Sequence, residues 1–196
     1  MQTLRHLRHY VRWNLSGRPA PPPHFVKQLA IRHYQRRFRL HTFVETGTYL
    51  GEMVEAMKSR FGEVYSVELS AELAARAREK FAGDSNVHIV EGDSAEVLPG
   101  ILERLKGPAL FWLDGHFSGG ITAQGPLDYP IIRELEHIRR HPVKEHVILV
   151  DDARLFTGSP NAPAKEQVVT SLKAVNPSYT VEERDDIIRA YVGPEN

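Results

Sequence analysis

From residue 42 onward, short runs rich in β-branched and aromatic residues alternate with longer segments of helical spacing. That alternation constrains the fold more than any other feature of the chain. Thr42-Phe43-Val44-Glu45, Val64-Tyr65-Ser66-Val67-Glu68, Val87-His88-Ile89-Val90, Ala109-Leu110-Phe111-Trp112-Leu113 and Val147-Ile148-Leu149-Val150 read as strands. The fourth is wholly apolar, as a strand covered on both faces should be. Helices are predicted over 52–60, over 71–81 with Ser70 as N-cap, and over 95–105, 130–140 and 163–175. Tyr179-Thr180-Val181-Glu182 and Ile187-Ile188-Arg189-Ala190-Tyr191-Val192 flank Asp185-Asp186, which predicts an antiparallel hairpin. Repeated strand–helix units imply an α/β fold, a mostly parallel sheet with helices on both faces. Ligands of such sheets bind beyond the C-terminal ends of the strands.

A zero formal net charge conceals a divided chain. Residues 1–41 hold nine Lys or Arg, five His and no acid, whereas residues 42–196 hold 16 basic and 25 acidic residues. The first segment is therefore a basic extension of an acidic domain. Leu4, Leu7, Val11 and Leu15 make one apolar stripe with Arg5, Arg8 and Arg12 between them. Pro21-Pro22-Pro23 separates this helix from a second, over 24–38. Two readings stand: residues 1–18 as a peripheral contact with anionic membrane, or a helix that docks on this domain or on a partner subunit, as in a homodimer. An acid-free, Arg-rich start also resembles a transit peptide, but one poor in Ser. Cysteine is absent, which excludes disulfides and thiolate ligands and suits a reducing, cytoplasmic setting.

The strand ends carry the chemistry. After the first strand comes Glu45-Thr46-Gly47-Thr48-Tyr49-Leu50-Gly51, a turn whose glycines let the backbone come close to a ligand, or simply turn. Glu68 ends the second strand about 20 residues on, where an acid accepts both ribose hydroxyls of a nucleoside. Nicotinamide and S-adenosylmethionine enzymes share that spacing, but the G-x-G-x-x-G of a pyrophosphate site is missing. At the third strand's end, Asp93 and Ser94 either hydrogen-bond an adenine edge or cap the next helix.

The series Phe43 to Gly51, then Val67-Glu68, then Glu91-Gly92-Asp93-Ser94, resembles the ordered motifs of class I S-adenosylmethionine-dependent methyltransferases. The resemblance runs from residue 42 to the C-terminal hairpin. It implies a Rossmann-like, seven-stranded sheet whose last hairpin adds an antiparallel strand. It also implies that Glu45 and Gly47, within the motif that includes Thr46 and Gly51, flank the methionine part, that Glu68 holds the ribose, and that Asp93 and Ser94 face the adenine.

Asp114 follows the fourth strand, and Asp151 and Asp152 follow the fifth. Three carboxylates at adjacent strand ends repel one another and call for a cation. A hard divalent ion such as Mg²⁺ suits oxygen ligands; Arg154 is the alternative counter-charge. In a continuing strand Asp151 and Asp152 point to opposite faces, so only a turn brings both inward. The arrangement is similar to the Mg²⁺-dependent sugar O-methyltransferases of macrolide and aminocoumarin biosynthesis, which implies a general-base role for His116. Imidazole titrates near neutral pH and suits that role. The expected activity is metal-assisted O-methylation of a sugar or related small hydroxyl compound. The alternatives are a metal-independent methyltransferase or hydroxylase-like enzyme, and a non-catalytic nucleoside-binding protein. An acidic pocket side argues against nucleic acid as acceptor.

Overall fold

The computed structural model describes residues 2–115, 129–160 and 162–193, with side chains from residue 8 onward. Among these residues the helices are α1 (Gln2–Leu15), α2 (His24–Phe38), α3 (Glu52–Met57), α4 (Ala71–Lys80), α5 (Ser94–Leu102), α6 (Ile131–Arg140) and α7 (Lys165–Val175). The strands are β1 (Thr42–Thr46), β2 (Glu63–Glu68), β3 (Val87–Glu91), β4 (Ala109–Leu113), β5 (Val147–Val150), β6 (Tyr179–Arg184) and β7 (Ile187–Val192). They form one sheet in the order β3-β2-β1-β4-β5-β7-β6. β7 runs antiparallel between β5 and β6, and the other pairings, among β1 to β5, are parallel. This is the α/β architecture that the alternating runs predict.

Period-two alternation divides the strand side chains between two cores. Val44, Phe111, Leu113, Ile148 and Val150 pack against α5, α6 and α7 through residues such as Leu98, Leu135 and Leu172. Phe43, Leu110, Trp112, Val147 and Leu149 face the other side, with Ile31 and Tyr34 of α2, Met57 at the end of α3 and Phe81 just beyond α4. α2 is thus part of the second core. Ile31 is fully buried, worth about 1.5–3 kcal/mol for a side chain of its size, and Tyr34 donates to Glu182 Oε1 at 2.9 Å. An Arg39 backbone in the left-handed region, with φ 52°, ends α2 and lets its N–H close the last turn.

α5 ends at Leu102 rather than 105, because the Arg104 and Leu105 amides bond three residues back, to Ile101 and Leu102, and tighten the chain. α3 is likewise shorter than predicted and ends at Met57. The β6–β7 hairpin turns on Asp185 and Asp186 with φ of 56° and 61°. A two-residue loop with both φ positive has the twist that suits antiparallel strands.

Candidate active site

Register aligns the strand ends. Thr46 lies opposite both Val67 and Leu113, and Leu113 lies opposite Val150, so Gly47, Asp114 and Asp151 leave the sheet at one level. Gly47 has φ 92°, and a Cβ there would meet the Asp114 carbonyl oxygen at 2.7 Å. Both conditions require glycine. Gly51, at φ 69°, starts α3, and a Cβ there would strike the Phe81 ring at 2.8 Å. The two glycines thus set how closely the first turn approaches β4 and α4.

The Glu68 carboxylate accepts from the backbone amides of Tyr49, at 2.7 Å, and Ser70, at 2.9 Å. It clamps the glycine turn to the start of α4. Each carboxylate oxygen retains acceptor capacity for a hydroxyl. Glu45 points inward: Ser66 Oγ donates to it at 2.5 Å and in turn contacts Thr48 Oγ1 at 2.6 Å. Burial pushes the Glu45 carboxyl up to about 8, against the opposing Ser66 hydrogen bond, so it holds its proton at neutral pH. The Asp93 side chain accepts from Ala95 N at 2.9 Å and caps α5, while Ser94 is the first residue of that helix. Thr46 is buried and accepts from the Asp114 amide at 3.2 Å.

Asp114, Asp151 and Asp152 converge. Each offers a carboxylate oxygen, and these atoms lie within 4.8 Å of one another. The required turn is present: Asp152 adopts φ 54°, ψ 47° and breaks the strand into the short 3₁₀ turn Ala153–Leu155. The sequence reading missed what faces these acids from across the molecule. Lys27 of α2 places its ammonium on Asp151 Oδ2 and 3.5 Å from Asp152 Oδ1. Burial opposes the charge on Lys27, yet Asp151, Asp114 and Asp152 outweigh it and raise its pKa. Burial and Asp114 push Asp151 up, and Lys27 pulls it down. Arg154, the alternative counter-charge, pairs with Asp152 Oδ1 at 2.7 Å and with Asp186. The acids are therefore partly neutralised from two sides. By donor type and convergence the three carboxylates fit a hard divalent cation, provided Lys27 withdraws from Asp151.

Glu134 is a second residue that the sequence reading missed. It is buried on α6, and burial pushes its carboxyl up to about 7, against the opposing pull of the Ser94 and Thr46 hydroxyls. Its Oε1 has no partner among the described residues. With Asp114, Gly115, Tyr129 and Asp151 it lines a void of about 20 Å³ behind the acidic cluster, on the order of one water in size. Both missed residues had a sequence signal. Glu134 interrupts the Ile131, Leu135, Ile138 stripe, and Lys27 stands one turn before Ile31 on the buried side of α2. His116 lies outside the described residues.

This strand order, with its antiparallel β7, is the class I S-adenosylmethionine-dependent methyltransferase fold. No protein-family model and no curated protein matches the chain. Solved structures do. The O-methyltransferase from Bacillus cereus, in complex with S-adenosylhomocysteine, is 16% identical over 96% of this chain and 91% of its own, with a TM-score of 0.66. TomG from Streptomyces achromogenes, an O-methyltransferase involved in tomaymycin synthesis and solved with S-adenosylmethionine, is 14% identical over 96% and 89%, at 0.60. The S-adenosylhomocysteine-bound methyltransferase PaMTH1 of Podospora anserina is 15% identical over 96% and 88%, also at 0.60. Coverage of that extent takes the likeness into the N-terminal helices, beyond the motifs that begin at residue 42.

Proposed function

We propose that the chain transfers the methyl group of S-adenosylmethionine to a hydroxyl oxygen of a small acceptor. The observation that carries this reading is the gathering of Asp114, Asp151 and Asp152 at the rim of a methyltransferase fold, beside the Gly47 turn. Glu45, Thr46, Gly47 and Gly51 surround the methionine part, Glu68 takes the ribose hydroxyls, and Asp93 and Ser94 face the adenine. The acceptor oxygen attacks the sulfonium methyl carbon; the C–O bond forms, the C–S bond breaks and S-adenosylhomocysteine leaves. The hydroxyl proton passes to His116. Asp114, Asp151 and Asp152 would hold Mg²⁺, which supplies orientation and acidification of the acceptor hydroxyl when bound. The acceptor class is a sugar or related hydroxyl compound; the acidic rim disfavours a polyanionic nucleic acid.

A second reading rests on Lys27. Its ammonium already offers a positive charge to Asp151 and Asp152, and a metal-independent enzyme follows if it stays there. Methyl transfer to a panel of hydroxylated acceptors, with and without EDTA, separates the two. Loss of turnover in EDTA supports the metal, and unchanged turnover supports Lys27. S-adenosylhomocysteine binding with no turnover on any acceptor supports a nucleoside-binding protein.

Among the described residues no helix is long and apolar enough to cross a membrane. From the absence of cysteine we infer a cytoplasmic setting, in which residues 1–18 either dock on this domain or a partner subunit, as the buried Trp13 favours, or make a peripheral membrane contact. Leu15 and Val11 support the membrane contact, being 83% and 47% exposed on α1. The same residues would serve a homodimer.

A further inference from the structure

Between the N-terminal helices and the β6–β7 turn lies a cavity of about 240 Å³, whose lining includes Trp13, Arg18, His33, Arg184, Asp185 and Arg189. Three guanidinium groups share one carboxylate there. Arg18 Nη1 stands 3.7 Å from Asp185 Oδ1, and Arg184 Nε and Arg189 Nη2 stand 3.7 and 3.5 Å from Asp185 Oδ2. All three separations exceed the usual 2.7–3.2 Å of an N–H···O bond. Arg189 is 2% exposed, and although Nη2 donates to the Arg184 carbonyl at 3.0 Å, its Nε has no partner among the described residues. A guanidinium cannot shed its proton to relieve such a deficit, and a buried donor left unmade is costly. His33 feels the same excess. Burial first, then Arg37, Arg184 and Arg189, hold its imidazole below the ordinary value, with Glu182 alone opposing.

We propose that this cavity binds the phosphate group of a small soluble molecule, with Arg18, Arg184 and Arg189 as its charged donors. The three arginines arrive from three places, the turn beyond α1, the end of β6 and the middle of β7. Donors converging from several directions suit a tetrahedral dianion better than a planar carboxylate, which one guanidinium fork satisfies. The cavity falls below the roughly 300–1,000 Å³ of drug-sized sites, so the rest of the ligand is small, against the Trp13 ring and Leu29. The site is distinct from the acidic rim and does not depend on the methyl-transfer reading.

The test is calorimetric titration of the full chain with inorganic phosphate and with glycerol phosphate, at constant ionic strength, with and without S-adenosylhomocysteine. Saturable binding is expected in both states. Arg18 and Arg184 have side chains that are 51% and 61% exposed, so an Arg18→Gln, Arg184→Gln double variant should fold as wild type. It should bind phosphate about tenfold more weakly or worse. Asp185→Asn should bind more tightly, because it removes the competing carboxylate and asparagine tolerates the left-handed backbone at that position. Absence of saturable binding, equal affinity in the double variant, or weaker binding by Asp185→Asn overturns the proposal. So does binding confined to phosphatidic acid vesicles, which would assign the arginines to a lipid headgroup.

Discussion

The Lys27 ammonium rests on the Asp151 carboxylate across 124 positions of sequence, joining α2 to the end of β5. The Lys27 side chain is 15% exposed and that of Asp151 is fully buried. Removing one partner of such a pair typically costs about 3–5 kcal/mol. Lys27→Met should therefore destabilise the ligand-free protein by that order in urea denaturation. Millimolar Mg²⁺ should restore much of the loss, since a cation would again face the three carboxylates. A variant that Mg²⁺ leaves unstable would show that the cluster holds no metal.

Glu68→Ala should weaken S-adenosylhomocysteine binding at least tenfold by calorimetry, because two ribose hydroxyls lose a charged acceptor worth roughly 1.5–3 kcal/mol. The same variant releases the Tyr49 and Ser70 amides, so its melting temperature is measured alongside. Full affinity in a folded variant removes Glu68 from the cofactor site.

Stability should fall as pH rises through the neutral range. Glu45 keeps its proton in the folded chain up to about 8, whereas in the unfolded chain it releases it from about 4.5. The folded form binds more protons across that window, so this contribution is complete below 4.5 and lost by about 8. The slope is on the order of 1 kcal/mol per pH unit for one such group. Glu134, held up at about 7, adds in the same direction. Glu45→Gln keeps an oxygen for the Ser66 hydroxyl and should flatten the decline between pH 5 and 8. An unaltered slope would mean that Glu45 ionises normally.

Asp151→Asn and Asp152→Asn should each abolish Mg²⁺-dependent turnover and leave S-adenosylhomocysteine affinity unchanged, because the residues proposed for the cofactor lie at or just beyond the ends of β1 to β3. His116→Ala should lower turnover about 10²–10⁴-fold and flatten the rise of rate with pH, with metal affinity retained. Loss of metal binding in His116→Ala would instead make His116 a ligand.

Sedimentation with anionic liposomes checks the N-terminal contact. Wild type should pellet and be released by high salt, and Val11→Asp with Leu15→Asp should stay in the supernatant. Equal behaviour, with concentration-dependent self-association lost in the variant, would assign the exposed stripe to a homodimer.

By itself the sequence determined the order and type of the elements. Alternating apolar runs can bury both faces only as strands between helices, and Asp185-Asp186 between two such runs turns a hairpin. It also placed acids at the strand ends, because in a parallel sheet those ends share one rim. Tertiary structure alone decided what those acids face. Register brings Asp114 level with Asp151, and the left-handed Asp152 backbone folds the third carboxylate inward. Lys27 reaches them only because Ile31 and Tyr34 anchor α2 beside Trp112 and Leu149. Such a pairing depends on packing across more than a hundred residues: local spacing puts Lys27 on the buried side of α2 but does not name its partner. The three arginines around Asp185 are separated in the same way: Arg18 meets Arg184 and Arg189 only when the N-terminal helices close over the sheet's last hairpin.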